Sequence, residues 1–432
     1  MKVMVLGSGG REHALVWKLA QSPRIEALYA APGNPGTAAL ATNVPVKTTD
    51  FEQIKQILLQ YAIDMLVVGP EDPLVNGIAD FCAQDRELRA LNRGRGVQVI
   101  GPCKAAAQLE GSKDFAKAFM TRHRIPTAAY RTFSAGDYEA ACAFLETLPP
   151  PYVLKADGLA AGKGVLIPTT LSQAKTDLKS LLGGKFGQAG HKVVIESFLQ
   201  GIEVSVFVLT DGIHYKILPE AKDYKRIGEH DTGLNTGGMG AVSPVPFADD
   251  AFMEKVESRI IIPTIQGLQE EKMDYKGFIF LGLMNCKGDP YVIEYNVRMG
   301  DPETEAVMMR LGGDLAEALA SLAPQTLHNV SLAPLNRAAV TVVAVSGGYP
   351  ESYEKGKPIA GLDALKDVTA FHMGTATHQN QVVTSGGRVL ALSATAPTLE
   401  EARSHVYACM DQISFEGNYF RRDVGLDVMA YQ

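Results

Sequence analysis

The sequence predicts a multidomain chain of α/β and α+β type. It has an open parallel sheet domain at the N-terminus, a β-rich central region and a small C-terminal α+β domain. Strand and helix signals alternate through the first hundred or so residues, the pattern of a parallel sheet with helical crossovers. Two short β-type runs then enclose a loop with three glycines and a lysine, within residues 152–167. The last hundred or so residues combine three β-type runs with one long helical pattern. At 432 residues the chain suits two to four domains of roughly 100 to 200 residues each. The expected divisions are 1–103, 104–330 and 331–432, with a flap unit over about 124–194.

In the first domain, residues 3–6, 26–31, 64–69 and 97–101 read as buried strands, and 12–21, 51–61 and 78–84 as helices. Such sheets bind ligands beyond the carboxyl ends of their strands. Each end here carries a turn: Gly7-Ser-Gly-Gly-Arg-Glu12, Pro32-Gly-Asn-Pro-Gly36, Gly69-Pro-Glu-Asp-Pro73 and Gly101-Pro102. The first turn invites comparison with nicotinamide-dependent oxidoreductases. However, G-x-G-x-x-G puts its third glycine at Glu12, and the second strand ends in Pro-Gly-Asn instead of a ribose-binding acid. A helix N-terminus behind glycines still attracts anions, so Gly9, Gly10 and Arg11 are candidates for holding a phosphate of a smaller ligand. The arginine-rich run 86–95 reads as a solvated loop.

A helical pattern over 104–109 breaks at Gly111 and restarts over 113–123 behind Ser112, a candidate N-cap. The flap follows as Tyr152-Val-Leu-Lys155-Ala-Asp157-Gly158-Leu-Ala-Ala-Gly162-Lys163-Gly164. Its glycines let backbone lie close over an anion, Lys163 adds charge, and Lys155 ends the entering strand nearby. It is not the strand-to-helix phosphate loop, since G-x-x-x-x-G-K-[ST] needs glycine at Asp157 and a hydroxyl at Gly164. Residues 193–207 read as strand, turn, strand, an ordinary hairpin on propensity alone. With Glu196 leading into its turn, backbone groups there suit a flat base and carboxylates a ribose. The stretch 231–240, dense in Gly, Asn and Thr, is either a disordered connection or a backbone-rich substrate cradle.

Residues 277–284 and 291–297 form a hairpin through Lys287-Gly288-Asp289. Alternation puts Tyr291, Ile293, Tyr295 and Val297 on one apolar face, and Glu294, Asn296 and Arg298 on the other. A carboxylate and an amide oxygen two residues apart suit a hard divalent cation that binds alongside phosphates. The adjacent guanidinium suits the phosphate oxygens. The residues alone therefore point to an enzyme using ATP and Mg²⁺, with a separate anion-binding sheet domain.

Beyond residue 311 a helical stretch leads to Ala323-Pro324, then strands are expected at 338–345, 368–371 and 388–393 and a helix at 399–413. Arg421 and Arg422 are read as domain packing. A net charge of −7 argues against a nucleic-acid partner, since such domains usually show a basic face. Five cysteines without ligand or redox spacing imply reduced thiols in a cytoplasmic protein. The chain enters a β-type run at once, so no signal peptide is expected, and no apolar stretch is long enough to span a bilayer.

Four motifs, Gly7-Ser-Gly-Gly-Arg-Glu-His-Ala14, Lys155-Ala-Asp-Gly-Leu-Ala-Ala-Gly-Lys-Gly164, Asn235-Thr-Gly-Gly-Met-Gly240 and Glu294-Tyr-Asn-Val-Arg-Met-Gly-Asp-Pro-Glu-Thr304, together resemble the phosphoribosylamine-glycine ligase (glycinamide ribonucleotide synthetase) family of the ATP-grasp superfamily. The likeness continues through Ser346-Gly-Gly-Tyr-Pro350, Thr384-Ser-Gly-Gly-Arg-Val-Leu390 and Tyr419-Phe-Arg-Arg-Asp423 and covers essentially the whole chain. Glu220-Ala-Lys-Asp-Tyr-Lys-Arg226 departs from the usual Ala-Gln-Asp-His-Lys-Arg but leaves Asp223, Lys225 and Arg226 in register. Arg93-Gly-Arg-Gly96 looks like an insertion outside the motifs.

The resemblance implies ATP-grasp central domains and a monomeric ligase of de novo purine synthesis. It would join glycine to 5-phosphoribosylamine through a glycyl phosphate, with ATP as co-substrate giving ADP and phosphate. Mg²⁺ or Mn²⁺ would sit on Glu294 and Asn296, with Lys155 and Arg298 as catalytic cations on the phosphates. Lys113, Lys155, Gly162, Lys163, Glu196, Leu199 and Glu203 would surround ATP. Gly10, Arg11, Asn34, Asp223, Lys225, Asn235, Thr236 and Gly238 would hold glycine and the amino-sugar phosphate. Two rivals from other classes stay open at this point: a nicotinamide-dependent oxidoreductase, and a non-catalytic module that binds nucleotide without turnover.

Overall fold

The computed structural model describes residues 1–159, 164–184 and 192–431. One nine-stranded sheet runs through it, in the order Tyr215–Ile217, Ile202–Thr210, Tyr275–Cys286, Gln98–Pro102, Met65–Val68, Lys2–Gly7, Ala27–Pro32, Thr42–Asn43, with Asp289–Asn296 also paired to Tyr275–Cys286. The N-terminal strands are parallel, as the alternation predicts. The domain is not a separate sheet, however, because Tyr275 and Lys276 pair antiparallel with Pro102 and Gly101. Glycine makes that junction possible: a Cβ on Gly277 would stand 3.0 Å from the Gly101 nitrogen.

A second sheet, Tyr130–Ser134, Lys192–Ser197, Tyr152–Ala156 and Val165–Leu166, carries the flap hairpin. The helices Tyr138–Glu146 and Leu171–Leu182 cover it, burying Leu145, Leu154, Leu178, Leu181 and Ile195 in a core of its own. The expected hairpin at 193–207 is overturned here. Lys192–Ser197 belongs to this sheet and Ile202–Thr210 to the large one, so residues 198–201 cross between two sheets. Gly201 turns that corner against the Asn285 carbonyl, which a Cβ would approach to 2.2 Å.

A third sheet orders Lys222–Asp223, Gly240–Ser243, Ala338–Val345, Arg388–Ala396 and Thr369–His372, backed by the helix Leu399–Met410. Its first two strands come from the middle of the chain. Arg421, 1% exposed, sits among Asp231, Asp423 and the Arg226 carbonyl, which is the packing role expected of it.

Two loop readings are corrected. Residues 86–94 begin a helix because Asp85 caps it, accepting from the backbone N–H of Glu87 and Leu88, and because Leu88 is fully buried; the helix breaks at Leu91. The turn after Gly69 likewise opens into the helix Glu71–Asn76, burying Pro73 and Leu74. Within the site strand, Glu294 pairs with Gly282 but Val292 pairs with Leu283, which leaves Ile293 as a β-bulge. The bulge reverses the alternation upstream of it. Val292, Tyr295 and Val297 enter the core, while Tyr291 and Ile293, expected there, do not.

Leu88→Ala should cost roughly 2–5 kcal/mol in urea unfolding, the range for truncating a buried leucine; a solvated loop at 86–95 would show almost no change.

Candidate active site

The glycines of the first turn make room for a side chain. Added Cβ atoms on Gly7 and Gly69 would meet the Glu12 side chain at 2.4 and 2.1 Å, and Gly7 has φ of +127°. Glu12 turns back to accept from the Gly9 N–H at 2.6 Å and pairs with Arg11 Nε at 2.6 Å. Asp301 approaches the Arg11 N–H at 3.4 Å. Two carboxylates thus stand at the helix N-terminus where an anion is expected at Gly9, Gly10 and Arg11.

Between the large sheet and the flap sheet lies a cleft of about 880 Å³. Glu294, Asn296 and Arg298 reach it together from the end of the site strand, as their alternation predicts. Burial would raise the Glu294 carboxyl, but Lys225, Lys155, Lys113 and Arg298 outweigh it and hold the group below its ordinary range. None of these cations comes within ion-pair distance of Glu294 among the described residues, and the buried amino group of Asn296 has no partner. No described cluster of three or more acidic, His or Cys side chains makes a metal cage by itself. A carboxylate without a close cation beside an amide oxygen that accepts no hydrogen bond among the described residues fits a hard cation whose remaining ligands are phosphates and water.

Cations line the cleft in fixed positions. Lys155 donates to the Ile293 carbonyl at 3.0 Å and stands 3.0 Å from Glu196 Oε1. Lys113 donates to the Gly158 carbonyl at 3.1 Å. Arg298 is clamped between Glu110, at 2.6 Å, and Glu71, at 3.4 Å. Lys225 pairs with Glu203, and burial together with Lys225 and Glu203 acts on neighbouring Asp223, whose carboxyl ends up raised.

Of the residues expected at a site, Arg298, Lys155, Lys113, Glu196, Leu199, Glu203, Arg11, Asp223, Lys225, Asn235, Thr236, Glu294 and Asn296 all line this one cleft. Gly10, Asn34 and Gly238 do not line it. Gly10 packs on Glu305, and Asn34 spends its whole amide on Ser8, His372, Gly36 and Thr37. Gly162 and Lys163 lie outside the described residues. The loop 235–240 is ordered, and it is not a backbone cradle. The N–H groups of Thr236, Gly237, Gly238 and Met239 go to the Lys225 carbonyl, Tyr349 hydroxyl, Thr236 hydroxyl and Tyr224 carbonyl.

Family profiles match the chain in three consecutive parts: the phosphoribosylglycinamide synthetase N domain at residues 1–110, its ATP-grasp (A) domain at 111–304 and its C domain at 339–427. The phosphoribosylamine–glycine ligase of Chlorobaculum tepidum is 46% identical, over 98% of this chain and 99% of that one. The chain belongs to the phosphoribosylglycinamide synthetase family. A crystal structure of the phosphoribosylamine–glycine ligase of Thermotoga maritima superposes with a TM-score of 0.82 at 35% identity, covering 98% of this chain and all of that one. The biotin carboxylase domain of the Hydrogenobacter thermophilus 2-oxoglutarate carboxylase shares the fold, with a TM-score of 0.72 at 16% identity over 97% of this chain and 91% of that one.

Several cleft residues escape sequence reasoning. Lys117 is one helical turn beyond Lys113 on the same face, a spacing that offered the only signal. Glu71, Glu110 and Arg388 are brought in by tertiary packing, without local pattern. Glu303 is buried under the cleft floor, where it accepts from the Ser205 hydroxyl at 3.1 Å. Burial first and Asp223 second push its carboxyl up to about 7 from 4.5.

A carboxyl raised on folding holds its proton longer in the folded than in the unfolded chain. Its contribution to stability therefore declines as pH rises from about 4.5 to about 7. Glu303→Gln removes that decline, so the unfolding free energy of the variant minus that of the wild type should grow from pH 5 to pH 8 in parallel denaturant titrations. A difference that stays flat across this range would mean that Glu303 ionises normally.

Proposed function

We propose that this cleft joins glycine to 5-phosphoribosylamine, giving glycinamide ribonucleotide for purine synthesis while ATP becomes ADP and phosphate. The observation that carries the reading is the convergence of Glu294 and Asn296 with Lys113, Lys155 and Arg298 around one cleft of an ATP-grasp fold. The chain is an ATP-dependent ligase by family.

The reaction needs such a site because a carboxylate is a poor electrophile with no viable leaving group. A glycine carboxylate oxygen attacks the γ-phosphorus of ATP, the bond to the bridging oxygen breaks, and ADP leaves. The amine nitrogen of phosphoribosylamine then attacks the acyl carbon; the carbon–oxygen bond breaks, phosphate departs, and the nitrogen gives up a proton. Phosphoryl transfer is helped mainly by positioning and charge neutralisation. Lys113 and Lys155 serve the nucleotide phosphates, with Glu196, Leu199 and Glu203 beside the nucleoside. Glu294 and Asn296 would hold Mg²⁺ or Mn²⁺, which supplies further neutralisation of phosphate charge when bound. Arg11, Asp223, Lys225, Asn235 and Thr236 form the other end of the cleft, for glycine and the amino sugar. The flap sheet covers the nucleotide side, where a hydrolysable acyl phosphate benefits from exclusion of water.

The working units are 1–103, 104–330 and 331–432, in a monomer of the cytoplasm. The five free cysteines suit that location, where thiols stay reduced; no described helix is long and apolar enough to cross a membrane. Sedimentation velocity tests the monomer. The oxidoreductase loses its main support at Glu12, which fills the turn that a dinucleotide pyrophosphate would need.

ADP should appear only when ATP, glycine and phosphoribosylamine are all present, and activity lost to a chelator should return with Mg²⁺ or Mn²⁺. Turnover that is indifferent to glycine would end the proposal. Glu294→Ala and Asn296→Ala should each lower kcat about a hundredfold or more, the scale for losing one electrostatic group at the transition state. Arg298→Ala is a poorer probe, because it strands the buried acid Glu110 and destabilises the fold.

A further inference from the structure

Lys117, Glu196 and Lys155 are 2%, 3% and 4% exposed, and they form a buried cluster of two cations around one anion. Lys117 stands 3.0 Å from Glu196 Oε2, and Lys155 stands 3.0 Å from Glu196 Oε1. Both are ion pairs without hydrogen-bond alignment, and Glu196 Oε1 is buried without a hydrogen-bond partner. The only hydrogen-bond acceptor of Lys155 among the described residues is the Ile293 carbonyl.

Lys117 is held from the opposite side. It donates to the Thr127 hydroxyl at 2.7 Å, and that hydroxyl donates to the Val292 carbonyl at 2.7 Å. Its ammonium also lies 5.5 Å from the centre of the Tyr130 ring. Both Lys117 and Lys155 line the cleft wall, but Lys117 is spent on Glu196, Thr127 and Tyr130. Each ammonium has one hydrogen-bond acceptor besides the shared acid, and one carboxylate must answer two ammonium charges.

We infer that Lys117 is a positioning residue for nucleotide binding: by drawing one oxygen of Glu196 to itself, it keeps the Lys155 ammonium incompletely neutralised and available to an anion. The inference rests on the ATP reading of the cleft given above. Without Lys117, Glu196 would close on Lys155 with both oxygens as a fully paired buried bridge. Anion binding would then have to break that bridge.

Lys117→Met tests this, with the KM and kcat for ADP release measured at saturating glycine and phosphoribosylamine, and with calorimetric binding of a non-hydrolysable ATP analogue. The KM for ATP and the analogue Kd should rise about tenfold, the equivalent of one weakened charge-assisted contact. The kcat should stay within about threefold and the KM for glycine should not move. Glu196→Gln alone sets the baseline, since Glu196 also borders the nucleoside, and adding Lys117→Met to it should cost little further affinity, because an amide cannot neutralise Lys155. A purely structural role predicts losses that add. Thermal melting checks folding, and Lys117→Leu, which likewise offers Glu196 neither charge nor donor, replaces Lys117→Met if the latter does not fold. Unchanged analogue affinity in Lys117→Met, or a full further loss when Lys117→Met is added to Glu196→Gln, overturns the inference and leaves the ligase reading standing. A wild-type enzyme that releases no ADP with both substrates sinks the ligase reading instead.

Discussion

The geometry of the cleft depends on one extra residue in one strand pairing. Because Ile293 bulges from its ladder with Tyr275–Cys286, Val292 turns into the core while Glu294 and Asn296 turn out toward the cleft. The same irregularity frees two successive carbonyls from strictly alternating use. Val292 accepts from Thr127 and Ile293 from Lys155, so the flap sheet is moored to the site strand immediately before its first acidic group. A regular strand could not offer both the acidic pair to the cleft and these anchors to the neighbouring sheet in the same register.

Charge balance in the cleft follows from that arrangement. Beside the flap, Lys113, Lys117 and Lys155 face Glu196 and Glu294, and Glu294 has no close cation of its own among the described residues. Burial lowers the Lys113 ammonium, and it pulls Lys117 down to about 8 against the opposing attraction of Glu196. Both shifts are those of positive charge crowded out of water, a condition that an arriving polyphosphate relieves. At the other end Glu71, Glu110, Asp301 and Glu303 lie among Arg11, Lys225, Arg298 and Arg388. The cleft is therefore charged along its length, rich in lysine beside the flap and mixed in sign at the other end.

What was legible in the sequence was what periodicity and local chemistry write. The helix Phe51–Tyr61 and the strand Ala338–Val345 have the expected bounds, and Ser112 caps its helix by accepting from the Phe115 N–H. Glu294, Asn296 and Arg298 were legible because alternation beyond the bulge is undisturbed. Upstream of it, Tyr291 and Ile293 were misread, since a bulge is a property of the pair of strands and leaves no mark in one of them. The turn at 198–201 was misread as a hairpin for a related reason: propensity makes Lys192–Ser197 and Ile202–Thr210 strands but does not say which partners they choose. Asp85 was the overlooked local signal, an N-cap in front of a run whose arginines looked like loop. Glycines also make room for the protein's own side chains, Gly7 and Gly69 for Glu12 and Gly10 for Glu305, which no single-strand pattern announces.

The C-terminal domain acquires a reason from the sheet it completes. Lys222–Asp223 pairs with Gly240–Ser243, which pairs with Ala338–Val345, so the segment carrying Asp223, Lys225, Asn235 and Thr236 is framed by two strands of a sheet whose centre is C-terminal. Arg388, from the next strand, reaches back to the Gly237 carbonyl at 2.7 Å and to Asp301 at 3.0 Å. Arg421 ties the intervening turn at Asp231. A loop rich in Gly, Asn and Thr has little apolar surface with which to order itself, and here its order comes from strands and arginines supplied by residues 338–431. The far wall of the cleft is thus built by a domain that contributes few residues to its lining, and the position of that wall relative to Glu294 is set where the helix Glu303–Arg310 packs between the first helix and the C-terminal sheet.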